Sequence, residues 1–468
     1  MNKFFATTPI YYVNDVPHLG HAYPTIAADV LTRYWAHKGY DAKLLTGTDE
    51  HGAKIAQAAK EHGKEPKDYA DEISEKFKQA WKNLNINYVR FIRTTDDDHI
   101  KIAQAFLQKL YDKGAIDPKP RLYKGLYCIS CEKFWAKEDL KDGLCPDHLK
   151  PPVEHSEENY YFRLSKYKKR LIALINNEGG KKIEVLPVKR QHEILSKLER
   201  GLEDISISRA NLEWGIPLPF DKNHTSYVWI EALINYYTYG SQNNYWPADL
   251  HLVGKDILWF HSVVWPAMLL AIGEDLPRKI FAHGFFTING QKMSKTIGNV
   301  IHPDDLVKKY GVDGARYVLL AAFPFGEDGD FSWDLFDRIY NADLANGLGN
   351  LVGRVAMLCQ KNNLAIPSNP IEQELKDKVK WQLFFNDLNF FGAIEYLKLQ
   401  IQEDDKKINE EKPWELEGEK AKIVLEDLVK RIQAIGYNLQ PFLPQTAEKI
   451  LKQFSGKIKS SAPLFPRI

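Results

Sequence analysis

The chain has 468 residues, 44% of them hydrophobic, which exceeds one ordinary domain and can fill several cores. Lysine plus arginine (63) nearly balances aspartate plus glutamate (62), so no global basic field advertises a nucleic-acid partner and any RNA contact must be a local patch. No apolar stretch approaches the roughly 20 residues of a membrane span and the first residues lack a secretory core, which reads as a cytoplasmic protein.

From residue 1 to about 115, extended segments at 4–13, 42–46 and 89–93 alternate with helical segments at 22–38, 66–84 and 98–113. That alternation predicts a parallel sheet with helices on both faces. The first strand-to-helix turn is His18-Leu19-Gly20-His21. A helix N-terminus there is expected to offer unpaired N–H groups and a positive dipole end. Gly20 lets a flat ring approach the backbone, and two imidazoles add donors for phosphate oxygens. Asp49 ends a later strand, just before Glu50-His51-Gly52, and so stands at the carboxyl edge of the sheet. Doubly wound folds bind ligands at that edge, where an anion can hold an ammonium.

Residues 116–224 interrupt the alternation. Only four cysteines occur in the chain, and three lie close together, which is a metal pattern and not a disulfide framework. Cys128-x-x-Cys131, thirteen residues and then Cys145-x-x-His148 match the spacing of a closed tetrahedral zinc knuckle. Four protein ligands leave no open position, so this Zn2+, one per chain, is structural. Cys359 stands alone on an apolar helical face and reads as core packing.

Residues 225–300 return to the α/β pattern, with strands expected near 249–253 and 279–286. Gly254-Lys255-Asp256 opens a helix on which Ile257, His261 and Trp265 recur every four residues, one apolar wall with a polar atom. Lys292-Met293-Ser294-Lys295-Thr296 follows the turn-like Asn289-Gly290 and sets two lysines to neutralise a leaving polyphosphate. A linker region at 301–345 leads into residues 346–468, and after Pro324 helical periodicity appears in Leu344, Leu348, Leu351, Val352, Val355 and Leu358, and later in 423–435. The charge run 404–412 reads as a solvated loop or helix face. The predicted architecture is α/β: a split Rossmann-like doubly wound parallel sheet, an inserted zinc-knuckle connective module, and a C-terminal α-helical bundle.

The histidine turn and the lysine loop together resemble the two signature segments of class I aminoacyl-tRNA synthetases. The stretches around them resemble the methionyl members from Thr8 through Trp414, including Tyr11 to His21, Gly47 to Gly52, Tyr227-Val228-Trp229, Phe260-His261, Trp265-Pro266-Ala267 and Asn341 to Asn346. Two positions depart from the usual pattern: Thr296 replaces Ser and Glu231 replaces Asp. The resemblance implies ATP-dependent ligation of L-methionine to methionine tRNA through methionyl-adenylate, releasing AMP and pyrophosphate. It implies that His18, His21 and Gly20 meet the nucleotide, Lys292, Ser294 and Lys295 the departing pyrophosphate, Asp256 the ribose and Asp49 the amino group. Ile10, Tyr12, Trp229, Leu233, Tyr236, Ile257, His261 and Trp265 would line the side-chain pocket, and Mg2+ would accompany ATP.

The zinc module is implied to lie over the acceptor end of tRNA, and Asn350 and Arg354 match positions that read the anticodon. Phe454 or Phe465 are candidates for the aromatic that stacks there, and Trp414 is expected to pack between helices. A monomer without an appended domain is expected. The synthetases for leucine, isoleucine and valine resemble one another in a large editing insertion that residues 116–223 cannot hold, and a cysteinyl enzyme would keep its zinc ligands in the amino-acid site. A small-molecule nucleotidyltransferase would not need the helical C-terminal third, and a silent RNA-binding protein would not need both lysines and Asp49.

Overall fold

Short runs rich in β-branched and aromatic residues become the strands of one six-stranded sheet, because such side chains pack well on a pleated surface covered on both faces. In a computed structural model describing residues 1–128, 133–135, 137–146, 149–180, 182–210, 212–293, 298–366 and 378–468, the strand order is Arg90–Arg93, Asp41–Asp49, Lys3–Tyr12, Leu250–Gly254, Lys279–His283 and Glu184–Leu186. Every neighbouring pair is parallel. The two halves expected from the sequence therefore meet where Ala6 pairs with Leu250 and Thr7 with His251. The edge strand Glu184–Leu186 comes from within the segment 116–224.

Pairing of the first strand slips between Thr7 and Ile10, where Pro9 has no N–H to give the ladder. The Thr8 hydroxyl instead donates to Thr46 Oγ1 at 2.7 Å. The extended segment expected over 279–286 divides in two. Phe286–Ile288 belongs to a separate three-stranded sheet with Gln291–Lys292 and Gly329–Phe331. The break falls at Gly284, where an added Cβ would lie 2.0 Å from the Glu327 carbonyl oxygen. Between Asn350–Lys361 and the preceding helix, residues Tyr340–Gly349 run as a π-helix. The charge run is helical, within Phe390–Glu411, but Asp404 is buried with its carboxylate on Arg431 at 3.1 Å; burial pushes its acid up to about 6 against the pull of that guanidinium. Among the described residues no helix is long and apolar enough to cross a membrane.

One ion pair joins the sheet to the C-terminal helices. Asp29, in the middle of the first helix Leu19–His37, and Arg316, on Pro303–Ala321, are both fully buried. Arg316 donates to Asp29 Oδ2 at 2.6 Å, Pro441 O at 3.0 Å, Phe442 O at 2.9 Å and Leu84 O at 3.2 Å. Asp29 also accepts from Arg33 Nε and the Asn87 N–H, each at 2.8 Å. One turn before Arg316, Asp313 accepts from the Thr446 N–H at 2.6 Å. Removing one partner leaves an uncompensated buried charge, so Arg316→Ala is expected to lower the unfolding free energy by about 3–5 kcal/mol. Urea denaturation measures this, and a loss below about 1 kcal/mol would contradict the pairing as a structural element.

Candidate active site

The histidine turn is built by its own side chains. His18 caps the first helix: its Nδ1 accepts the Gly20 N–H at 3.0 Å, and His21 Nδ1 accepts the His18 N–H at 3.1 Å. The two rings stack with centroids 3.8 Å apart. Since each Nδ1 accepts, the ring proton of each neutral imidazole sits on Nε2, a donor on the side of the ring away from the cap. Burial, then the neighbouring His18, holds His21 well below the usual histidine range.

The expectation of unpaired N–H groups is corrected here. Leu19 donates to Ile301 O at 2.9 Å, Gly20 to His18 Nδ1, His21 to His18 O at 2.9 Å and Ala22 to His18 O at 3.2 Å. The first turn is therefore satisfied within the chain, and what the turn presents beyond its backbone is its two imidazoles. Gly20 is required by a ring on this chain: an added Cβ would lie 2.9 Å from His18 Cε1.

The lysine segment is brought to this turn. An added Cβ on Gly20 would also find Met293 Cε at 3.7 Å, and His302 Nδ1 donates to Pro17 O at 3.2 Å. Asn289 and Gly290 both take positive φ, the tight-hairpin conformation, so that Thr287 pairs with Lys292. Asp330 anchors the hairpin by accepting from the Thr287 hydroxyl at 2.6 Å and the Gly290 N–H at 2.9 Å. Ser294, Lys295 and Thr296 lie outside the described residues.

Across the sheet edge, Asp49 is buried and paired in register with Tyr12. Trp229 stacks on Phe260 (4.7 Å, 10°) and meets Tyr12 edge-on at 6.0 Å. Ile10, Tyr12, Trp229 and Ile257 pack against the same apolar cluster that holds Leu233, Tyr236 and Trp265. The Tyr236 hydroxyl lies 2.8 Å from His261 Nε2, and His261 Nδ1 lies 3.0 Å from Ile257 O. A carbonyl only accepts, so Nδ1 carries the proton and Nε2 accepts from Tyr236.

The wall is not a plain α-helix, because a π-turn spans Phe260–Val264. Asp256 is exposed, with its Oδ1 folded over Gly254 so closely that a Cβ there would come within 2.5 Å.

Several residues escaped sequence reasoning. His251, inside the apolar strand Leu250–Gly254, meets Thr7 Oγ1 at 2.7 Å and receives the Trp265 indole N–H at 3.3 Å. Burial, then His261, keeps it well below the usual range. His283 is buried beside Tyr23 and Phe325 and lowered to about 4 by burial. Their signal was a polar ring inside an apolar strand. Glu50 accepts Arg93 at 2.6 and 2.7 Å together with the Thr48 and Thr95 hydroxyls, which fixes the turn after Asp49.

Of the metal candidates, Cys128 and Cys145 are buried, while Cys131 and His148 lie outside the described residues. The Cys145 N–H donates to Lys150 O at 2.9 Å and its carbonyl accepts the Leu149 N–H at 2.8 Å. Cys359 is buried in the helical core, where burial pushes its thiol up to about 12. Asn350 is exposed, and Arg354 donates to Asp405 at 2.5 Å and Asn409 at 2.8 Å. Phe454 is fully buried and Phe465 packs edge-on against Tyr340 at 5.9 Å, so neither offers a face for stacking. Trp414, expected between helices, is instead 43% exposed, since it follows the left-handed cap at Lys412 that ends the helix Phe390–Glu411.

The profile of the family described as tRNA synthetases class I (M) matches residues 4–150 and 137–356. The methionine–tRNA ligase of Clostridium acetobutylicum is 42% identical over 508 residues, covering 100% of this chain and 78% of that protein. That of Thermotoga maritima is 43% identical over 485 residues, covering 98% and 76%. The fold matches Mycobacterium tuberculosis methionyl-tRNA synthetase in complex with methionyl-adenylate at a TM-score of 0.92 and 34% identity, over the whole of both chains. Its free state matches at 0.84 and 31%, over 100% and 98%.

His261 is buried and lowered from 6.5 to about 4 by burial, which the Ile257 carbonyl opposes. Between those values the unfolded chain binds a proton that the folded protein refuses, so stability is full above the unfolded value and is lost as pH falls. Between pH 6.5 and 5, His261→Gln is expected to lose about 1.5 kcal/mol less stability than the parent. Paired urea titrations at the two pH values check the difference, and equal losses would contradict it.

Proposed function

The chain belongs to the methionyl-tRNA synthetase family of class I, and we infer that its cleft performs the family reaction, ATP-dependent ligation of L-methionine to methionine tRNA through methionyl-adenylate, releasing AMP and pyrophosphate. The observation that carries this reading is the packing of the lysine hairpin against the histidine turn, with Met293 over Gly20, beside a pocket of neutral rings at the same sheet edge.

The substrate carboxylate attacks the α-phosphorus, so no side chain need become covalently attached, and catalysis is positioning plus charge stabilisation. His18 and His21 donate from Nε2 to phosphate oxygens. Lys292 and Lys295, with Ser294, neutralise the departing pyrophosphate, whose Mg2+ is held largely by phosphate and water. Asp256 receives the ribose and Asp49 the α-ammonium. The pocket from Ile10, Tyr12, Trp229, Leu233, Tyr236, Ile257, His261 and Trp265 takes the thioether, for which ring surfaces are favourable partners by about 0.3–1.5 kcal/mol.

Residues 1–115 and 225–300 form the split catalytic unit in this reading, 116–224 the connective module, 301–345 the linker and 346–468 the anticodon-binding helices, in a monomeric cytoplasmic enzyme. Asn350 and Arg354 read splayed anticodon bases, Arg354 exchanging its bonds to Asp405 and Asn409 for them. The exposed Trp414 indole supplies the stacking face, since Phe454 and Phe465 are buried.

A structural Zn2+ fits the donor set. Among the described residues around the cysteines, Leu122 and Val153 are exposed and only Cys128 and Cys145 are buried apolar groups, so this piece needs a cross-link that its own core does not provide. Cys128, Cys131, Cys145 and His148 would hold the ion, which would fix the knuckle without entering the chemistry.

Pyrophosphate exchange measured with each of the twenty amino acids tests the reading: methionine alone should support it, and exchange with another would overturn it. Lys295→Ala should lower methionine-dependent exchange by about 10²–10³-fold with little change in methionine affinity, as roughly 3–4 kcal/mol of transition-state stabilisation is removed. An unchanged rate would remove the loop from the mechanism. Purified protein should contain one zinc, and chelation should expose Cys128 and Cys145 to a thiol reagent while exchange persists; less than half an equivalent of metal would count against the site.

A further inference from the structure

One buried carboxylate in the catalytic unit takes part in none of these steps. Glu231 is fully buried on the short helix Val228–Leu233. Its Oε1 accepts from His51 Nδ1 at 2.7 Å and its Oε2 from His99 Nε2 at 3.2 Å. His99, at the start of the helix Asp97–Asp112, is backed by Thr238 Oγ1 at 3.0 Å from its Nδ1. Burial alone would raise the carboxyl; the facing His51 imidazole, followed by that of His99, holds it below the ordinary range.

His51 stands on the turn that begins at Asp49, and that turn is fixed independently of Glu231. The Gly52 N–H donates to Trp214 O at 3.0 Å, and the Trp214 indole donates back to Glu50 O at 2.5 Å. Arg93 clamps the Glu50 carboxylate. The turn is thus a rigid abutment, and Glu231 is the member that spaces the helix Val228–Leu233 from it. On that helix Trp229 and Leu233 are four residues apart and share a face, while Glu231, two residues from each, faces the opposite way.

From this arrangement we propose that Glu231 is a specificity-determining positioning residue: its length, acting through His51, sets how far the Trp229 and Leu233 wall advances into the thioether pocket. The proposal rests on the methionine reading above. Shortening the stem by one methylene while keeping the charge retracts the wall and widens the pocket. The S-ethyl homologue ethionine then gains on methionine. One methylene in an apolar pocket ordinarily changes kcat/KM by about 10–200-fold, so partial relief is measurable.

The test is pyrophosphate exchange with methionine and with ethionine, on the full chain. Glu231→Asp should shift the kcat/KM ratio toward ethionine by about threefold or more, chiefly through KM for ethionine. Glu231→Gln keeps the length and should leave the ratio within about twofold even if both rates fall together. His51→Ala removes the abutment from the other side, should shift the ratio in the same direction, and serves if Glu231→Asp does not fold. An unchanged ratio in both shortened variants, or an equal shift in Glu231→Gln, overturns the proposal. Parent protein that is methionine-specific alongside that result leaves the functional reading intact, whereas parent protein that activates another amino acid overturns both.

Discussion

The buried Arg316–Asp29 pair is the constraint on which the rest of the molecule depends. One guanidinium donates to a carboxylate on the first helix, to a carbonyl before the third sheet strand in sequence, and to two carbonyls in the turn joining the last long helices. Such a pair adds little net stability over an apolar replacement, because desolvation offsets attraction; what it supplies is a single allowed arrangement. The helix fixed at Asp29 carries His18 and His21 at its start, and the helix fixed at Arg316 begins at His302 against Pro17. Both are therefore held at two points. Between those points the second helix breaks at Gly311, whose φ of 71° a side chain would oppose, so its two halves can meet different neighbours.

With that frame set, the cleft is chemically a set of neutral imidazoles. His21, His251, His261 and His283 are all displaced downward by burial. Neutral rings have one donor and one acceptor each, and here the backbone or a hydroxyl uses one nitrogen and so orients the other. For a reaction whose demand is charge placement, donors fixed before substrate arrives need no reorganisation at the transition state. Lys292 ends a hairpin that lies outside the main sheet.

The segment inserted between the two halves of the sheet behaves as two pieces. Tyr160, Phe162, Leu164, Leu171, Ile194 and Leu198 join the apolar cluster that holds Phe5, Leu45 and Val253 of the six-stranded sheet, and Glu184–Leu186 extends the sheet itself. The hairpin Arg121–Cys128 with Val153–Asn159 instead exposes Leu122 and Val153. Trp214 returns from the insertion to the turn at Glu50, so the catalytic edge is tied to it by side chain and backbone alike.

The amino-acid sequence by itself determined the local elements, because period 2 and period 3.6 patterning and turn signals such as Asn289-Gly290 are written within a few residues of one another, and the histidine turn, the lysine segment and the cysteine spacing were legible there as candidates. It could not supply what depends on distant partners. Gly284 breaks an apparent strand because the Glu327 carbonyl lies against it, and the first helix has no open N–H groups because Ile301 and its own histidine take them. Phe454 and Phe465 are buried and Trp414 exposed, an order that composition alone reverses. In the sequence Glu231 is a one-methylene departure from the resemblance's usual Asp, and only the fold set it between His51 and His99. Burial and hydrogen-bond pairing are long-range properties, and tertiary structure alone decided them, since they are fixed by which segments the sheet order and the Arg316 pair bring together.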